Sequence, residues 1–190
     1  MTLLGRLLNN RRAGEAHTAW NLPNLQGPAL LTLTSRHFAH GEAMPPRHAA
    51  KNVGGGNLSP HLTWTAPPPG TAQLLLVVED TDVPLPRPAV HCVALVDPAS
   101  GDLGPGALDA RRPAAGVRVL RSTIGRGYHG PAPVKGHGPH RYTFQLFALA
   151  ATVDGALGAE TADRTRPRAL LGGITAPVLA RGRLTGTYER

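Results

Sequence analysis

Proline and glycine interrupt this chain so often that they decide what it can fold into: 19 prolines and 23 glycines are spread over 190 residues. In a helix interior a proline costs ~3 kcal/mol and a glycine ~1 kcal/mol relative to alanine, so few helical windows survive. Helical bundles and coiled coils are excluded, and turn-rich β structure with little helix is the expectation. The breakers stay just below the ~25–30% at which disorder becomes the default. With 41% hydrophobic residues, the chain can build a core. Its length fits one domain, expected over residues 29–190 after a partly flexible N-terminal tail, 1–28. In that tail Arg6 interrupts Leu3, Leu4, Leu7 and Leu8, and Arg11 and Arg12 follow, so no signal-type apolar core forms. No apolar run approaches the ~18 residues of a membrane span. Cys92, the single cysteine, cannot form an intramolecular bridge, and the expected compartment is the reducing cytoplasm.

The net charge of +8 raises the question of nucleic acid. Its carriers are spread from Arg6 to Arg190, and pairs such as Arg111 and Arg112 lack the interleaved aromatics of a single-strand platform. A diffuse excess supports only weak association, so no specific nucleic-acid partner is expected.

Short runs of branched apolar residues bounded by turn signals predict strands at Leu30–Thr34, Leu62–Trp64, Leu74–Val78, Val90–Val96 and Tyr142–Leu149, with a last one at Leu184–Tyr188. In the fifth, Tyr142, Phe144, Leu146 and Ala148 fall on one face and Thr143, Gln145, Phe147 and Leu149 on the other. Residues 97–123 read as a long irregular excursion. A helix is expected near Arg166, capped by Thr165, with Pro167 tolerated in its first turn.

Polar groups gather at two places. Glu79-Asp80-Thr81-Asp82-Val83-Pro84 directly follows the Leu74–Val78 strand, with His91 at the head of the next. The second is Gly127 to Tyr142, where Gly130, Pro131, Pro133, Gly136, Gly138 and Pro139 precede His140-Arg141-Tyr142. Such a loop can aim backbone N–H groups into a concavity that holds an anion. Imidazoles of His91 and His140 and the Tyr142 hydroxyl add donors, while one carboxylate orients a histidine and raises its pKa. Arg141 is expected in a structural ion pair. His37 and His40 read as surface residues, and Cys92, the neighbour of His91 on a strand, should face away from it and not act as a catalytic thiol. No metal and no cofactor are expected.

These two segments resemble the phosphatidylethanolamine-binding protein family, in its bacterial branch related to the Raf kinase inhibitor protein. Asp80-Thr81-Asp82-Val83-Pro84 followed by His91 is similar to the family's first signature. Gly130-Pro131-Ala132-Pro133 onward to His140-Arg141-Tyr142 is similar to its second. The likeness spans roughly residues 29–188, although Val83 and Val134 depart from the usual pattern. It implies a mostly β fold in which a large antiparallel central sheet packs on a smaller one, with short helices. It also implies a small pocket for phosphoryl-type anions lined by Asp80, Asp82, Pro84, His91, Gly130, Pro133, His140 and Tyr142.

The expected function is therefore non-catalytic binding of a phosphorylated small molecule, a phospholipid head group or a phosphorylated partner, with a regulatory or inhibitory role toward a kinase or protease in view. The alternative is an acid–base isomerase or cyclase using the His/Asp pocket. No Gly-x-Ser-x-Gly nucleophile motif is present to support covalent hydrolysis. The proline-rich rim leaves a homodimer open.

Overall fold

A computed structural model of the chain describes Leu8 and residues 10–190, without the side chains of Ala156, Leu157, Ala159 and Glu160. The expectations for Leu3, Leu4, Arg6 and Leu7 lie outside the described residues. Among the described residues eight strands form: β1 (Leu33–Thr34), β2 (Leu62–Trp64), β3 (Gln73–Asp80), β4 (Ala89–Val96), β5 (Asp102–Leu103), β6 (Val117–Val119), β7 (His140–Leu149) and β8 (Val178–Tyr188). A five-stranded antiparallel sheet has the order β6-β4-β3-β7-β8, and a three-stranded one the order β1-β2-β5. The fold is mostly β, as the breaker density requires.

Strand β3 lies in the middle of the large sheet, and both of its faces are covered. Leu74, Leu76 and Val78 join Leu62, Trp64 and Leu103 of the small sheet in one core; Leu75 and Val77 join a second core with Leu25, Leu170 and Leu171. A strand buried on both sides has no polar face, which is why Leu74–Val78 is a continuous apolar run rather than an alternation. The β7 faces divide as expected, Phe144 and Leu146 to the first core, Phe147 and Leu149 to the second.

The described part of the N-terminal stretch adds to the packed structure, and two expectations are corrected. In that stretch Ala19 and Leu25 are fully buried, and the Ala19 N–H donates to Glu79 Oε2 at 2.7 Å. Short segments of this kind carry no periodicity, so their docking is invisible to pattern reading. The excursion 97–123 contains β5 and β6, which pair with β2 and β4 but are too short to show a period. Three short helices, α1 (Val153–Leu157), α2 (Ala159–Arg164) and α3 (Pro167–Gly172), precede β8. Thr165 does not cap α3; it ends α2, its hydroxyl donating to the Thr161 carbonyl at 2.6 Å, while Arg166 takes the N-cap position and Pro167 the first turn.

At Gly182 in β8 the chain from Pro28 to Leu31 crosses so closely that an added Cβ would stand 2.2 Å from the Leu31 carbonyl oxygen. Backbone cannot move aside as a side-chain end can. Gly182→Ala is therefore expected to lower stability by more than about 2 kcal/mol in urea unfolding; a change within about 0.5 kcal/mol would contradict this close approach.

Candidate functional site

Strand β3 ends in two successive buried carboxylates, Glu79 and Asp80, which strand alternation sends to opposite faces. Glu79 Oε2 accepts from the Ala19 N–H and from Gln145 Nε2, both at 2.7 Å, and Oε1 lies 2.6 Å from Arg168. Burial still pushes the Glu79 carboxyl above its ordinary range, against the opposing pull of Arg168, Gln145 and the Ala19 N–H. This group ties the N-terminal segment and α3 to the sheet.

On the other face Asp80 Oδ2 lies 2.8 Å from His140 Nδ1, and Oδ1 accepts the Asp82 N–H at 2.8 Å. His140 Nε2 in turn meets His137 Nδ1 at 2.7 Å. The phenol ring of Tyr142, two residues along β7 and directly across from Asp80, is stacked near His140 with ring centroids 6.4 Å apart. Tyr142 Oη is buried beside the Asp80 carboxylate and the Ala132 backbone, but neither these nor any other group among the described residues meets it in full hydrogen-bond geometry. Burial and the neighbouring Asp80 carboxylate push the phenol's pKa up, so it remains a donor.

His91 reaches this group through a defect in the ladder. Val78 pairs with Cys92 but Glu79 with Val90, so His91 is the extra residue of a β-bulge. Bulges re-aim side chains beside functional sites. Here the bulge puts His91 and Cys92 on one face: Cys92 enters the first core, and the His91 ring stands edge-on to Tyr142 at 5.2 Å. The expectation that Cys92 faces away from His91 assumed an unbroken alternation and is wrong. Burial pushes the thiol of Cys92 up to about 12, so it is inert at neutral pH. His91 Nδ1 sits 2.8 Å from the His129 carbonyl, which can only accept, so Nδ1 carries the hydrogen. Burial lowers the His91 pKa despite the opposing effect of Asp80. The ring is neutral at pH 7, and Nε2 presents a lone pair.

The remaining expected residues play other parts. Asp82 is 2% exposed and turns to Arg141, whose N–H and Nε both reach Oδ2 at 2.8 Å and whose other arm reaches Oδ1 at 3.0 Å; Arg12 adds a contact of 2.9 Å. Arg141 is thus in an ion pair, and Asp82 has little left for a ligand. The Gly130 N–H donates to Asn57 Oδ1 at 2.8 Å, so it is not a free main-chain donor; a Cβ there would lie 2.1 Å from the His48 carbonyl oxygen. Pro84 and Pro133 have no N–H to offer, and the Pro133 carbonyl receives Arg190 at 3.4 Å. Beside Gly130 a cleft of about 320 Å³ opens between Lys51, Asn57, Ile124, His129 and Ala132. His37 stacks on His48 at 4.8 Å, whereas His40 Nδ1 accepts the Thr185 N–H, so these two histidines do not converge.

A profile for the phosphatidylethanolamine-binding protein family matches residues 34–189. The chain belongs to this family. It is 34% identical over 163 residues to LppC, a candidate lipoprotein of Mycobacterium tuberculosis, covering 84% of this chain and 72% of that one. It is 35% identical over 124 residues to the UPF0098 protein YbhB of Escherichia coli, covering 63% and 78%. The crystal structure of E. coli YbcL, described as a new member of the mammalian PEBP family, superimposes with a TM-score of 0.73 at 28% identity, covering 85% of this chain and 99% of that one.

Within this phosphatidylethanolamine-binding-protein fold, motif reading did not single out two participants. His137 stands three residues before His140, and that spacing inside a Gly-Pro loop was a usable signal. Arg12 sits in a stretch that carries no motif, so only the fold brings it to Asp82. No helix among the described residues is long and apolar enough to cross a membrane.

Burial alone would raise the Asp82 carboxyl, but the hydrogen bonds from Arg141 and Arg12 outweigh it and hold it at about 2, against an ordinary 3.8. A carboxylate with a lowered folded pKa stabilises above its unfolded pKa and loses that contribution as pH falls through the folded one. Asp82→Asn should therefore cost about 2 kcal/mol at pH 7, with the two unfolding curves converging toward pH 2. A constant gap between the proteins from pH 7 to pH 2 would refute the ion-pair account.

Proposed function

We propose that this domain binds a phosphoryl-type anion, of a phosphorylated small molecule, a phospholipid head group or a phosphorylated partner, and does so without catalysis. The observation that supports the reading is a pair of adjacent polar groups, the buried Tyr142 hydroxyl and His91 Nε2, for which no partner in full hydrogen-bond geometry is found among the described residues. An orphaned buried donor costs ~1–3 kcal/mol, which an arriving oxygen acceptor relieves. The negative charge of Asp80 would repel an anion if bare, but His140 lies against it at 2.8 Å. The cleft beside Gly130, with Lys51 and His129 on its wall, offers room for the organic part of the ligand. The family's name supports the lipid head group as one such ligand.

The same geometry argues against acid–base turnover. Both nitrogens of His140 are engaged, Nδ1 by Asp80 and Nε2 by His137, so neither meets a substrate proton. Cys92 is buried and protonated. Regulation or inhibition of a kinase or protease, and residence in the cytoplasm, complete the proposal; the lone thiol supports the reducing compartment.

Anion binding should strengthen as pH falls. His91 Nε2 is an acceptor in the neutral ring and becomes a donor on protonation, so an anion at this position favours proton uptake. Calorimetry with phosphate and with phosphoethanolamine is expected to give about tenfold or greater tightening from pH 8 to pH 5.5. Tyr142→Phe should weaken phosphate by about tenfold at either pH, with no turnover of small phosphoesters. Equal affinity at the two pH values, or phosphoester turnover that His140→Ala abolishes, would overturn the reading.

A further inference from the structure

Arginines that lie far apart in the sequence come together beside the candidate site. The loop after β6 contributes Arg121 and Arg126, and the stretch from the end of α2 into α3 contributes Arg164, Arg166 and Arg168. Two clefts run between these elements. One, of about 360 Å³, lies between Arg121, Ser122, Thr123, Arg166 and Arg168. The other, of about 550 Å³, shares Arg121, Ser122 and Thr123 and continues past Ile124 to Arg126, Asp163 and Arg164. Ile124 also lines the cleft beside Gly130. The three clefts therefore adjoin in series, and the last of them is at the candidate site. Charge that is diffuse in the sequence is concentrated by the fold.

The walls of this groove are fixed by the protein's own hydrogen bonds. The Thr123 N–H donates to the Val90 carbonyl at 2.9 Å and Thr123 Oγ1 accepts the Val90 N–H at 3.1 Å, which pins the loop to β4. Ser122 closes the loop, its N–H donating to the Gly125 carbonyl at 2.7 Å and its Oγ accepting the Gly125 N–H at 3.0 Å. That tight turn leaves Ile124 52% exposed. Arg121 and Arg126 tie the loop to α2 through the carbonyls of Arg164 at 2.8 Å and Asp163 at 3.0 Å. Arg126 is neutralised by the Asp163 carboxylate at 3.1 Å, and Arg168 by Glu79 at 2.6 Å. Arg121, Arg164 and Arg166 are exposed and have no carboxylate partner among the described residues. Three guanidiniums without counter-charge thus border a rigid groove with an exposed isoleucine.

We propose that this groove docks an acidic, extended segment of a partner protein, with carboxylates on Arg121, Arg164 and Arg166 and an apolar side chain against Ile124. A guanidinium fork pairs with a carboxylate through two parallel hydrogen bonds, and walls already fixed spare the complex part of its ordering cost. Nucleic acid fits less well, because no aromatic ring lines the two arginine clefts for a base to stack on. A bilayer is flat, whereas these clefts are recessed, and one isoleucine gives little apolar area to insert. The docked segment specifies the partner class of the function proposed above, and it rests on that reading only where it continues past Ile124 into the cleft beside Gly130. Its arginine contacts are separate from Tyr142 and His91, so either site can fail alone.

Fluorescence anisotropy of the whole protein with a labelled peptide, Glu-Glu-Glu-Leu-Leu-Glu-Glu-Glu, at about 50 mM salt tests this. The native protein should bind it saturably and at least about tenfold tighter than the same peptide with Gln for every Glu. The double substitution Arg164→Gln with Arg166→Gln removes two side chains that hold nothing in the fold. It should weaken the acidic peptide about tenfold, and Ile124→Ser about fivefold, with urea unfolding unchanged. Amide shifts on peptide addition should fall on residues 121–126 and 164–168. Absence of saturable binding, equal affinity in the double variant, or shifts confined to other residues would overturn the proposal. So would displacement of the peptide by oligothymidylate or phosphatidylserine vesicles, matched for negative charge, at lower concentration than by its own unlabelled form. Tyr142→Phe should leave peptide affinity unchanged, and a loss there would contradict the placement. Arginine-dependent peptide binding by a protein that takes up no phosphate would refute the anion reading and uphold the groove.

Discussion

Two consecutive carboxylates buried at the end of the central strand set the terms for everything around them. An ionised carboxylate taken out of water costs several kcal/mol unless donors replace the lost solvation. Glu79 and Asp80 point to opposite faces, so the fold must bring donors to both. On one face they come from the Ala19 N–H, Gln145 and Arg168, which draws in the N-terminal segment and α3. On the other they come from His140 and the Asp82 N–H, which draws in the start of β7 and the loop after β3. The candidate site is thus one half of a charge-compensation problem that the sheet itself creates.

On the polar face the compensation is made with an imidazole rather than an arginine. Guanidinium groups are placed two positions away, on Asp82, where they lock the loop. A bulge opposite Val78 then rotates His91 toward Tyr142. The arrangement combines two further rings with a carboxylate already in contact with an imidazole.

Much of this was legible in the residues, and the failures have physical causes. Continuous apolar runs marked β3, β4 and β7 because strands covered on both faces must be apolar throughout, and a lone period-two pattern correctly divided Tyr142 and Phe144 from Phe147 and Leu149. The two signature segments gave Asp80, His91, His140 and Tyr142 as neighbours, which they are. Alternation failed at Cys92 because a bulge is a property of strand pairing, not of local sequence. Gly130 was expected to offer its N–H, but its role is to let the chain pass His48 closely while that N–H goes to Asn57. Arg12 and the docking of residues 10–28 depend on contacts 60 or more residues distant, which no window of sequence contains.

The most direct test of the account is nitrogen-resolved NMR of the histidine rings in the ligand-free protein. The account predicts a hydrogen on His91 Nδ1, which faces the His129 carbonyl, and on His137 Nε2, which faces the carbonyls of Leu8 and Arg11. A bare nitrogen at either position would contradict it.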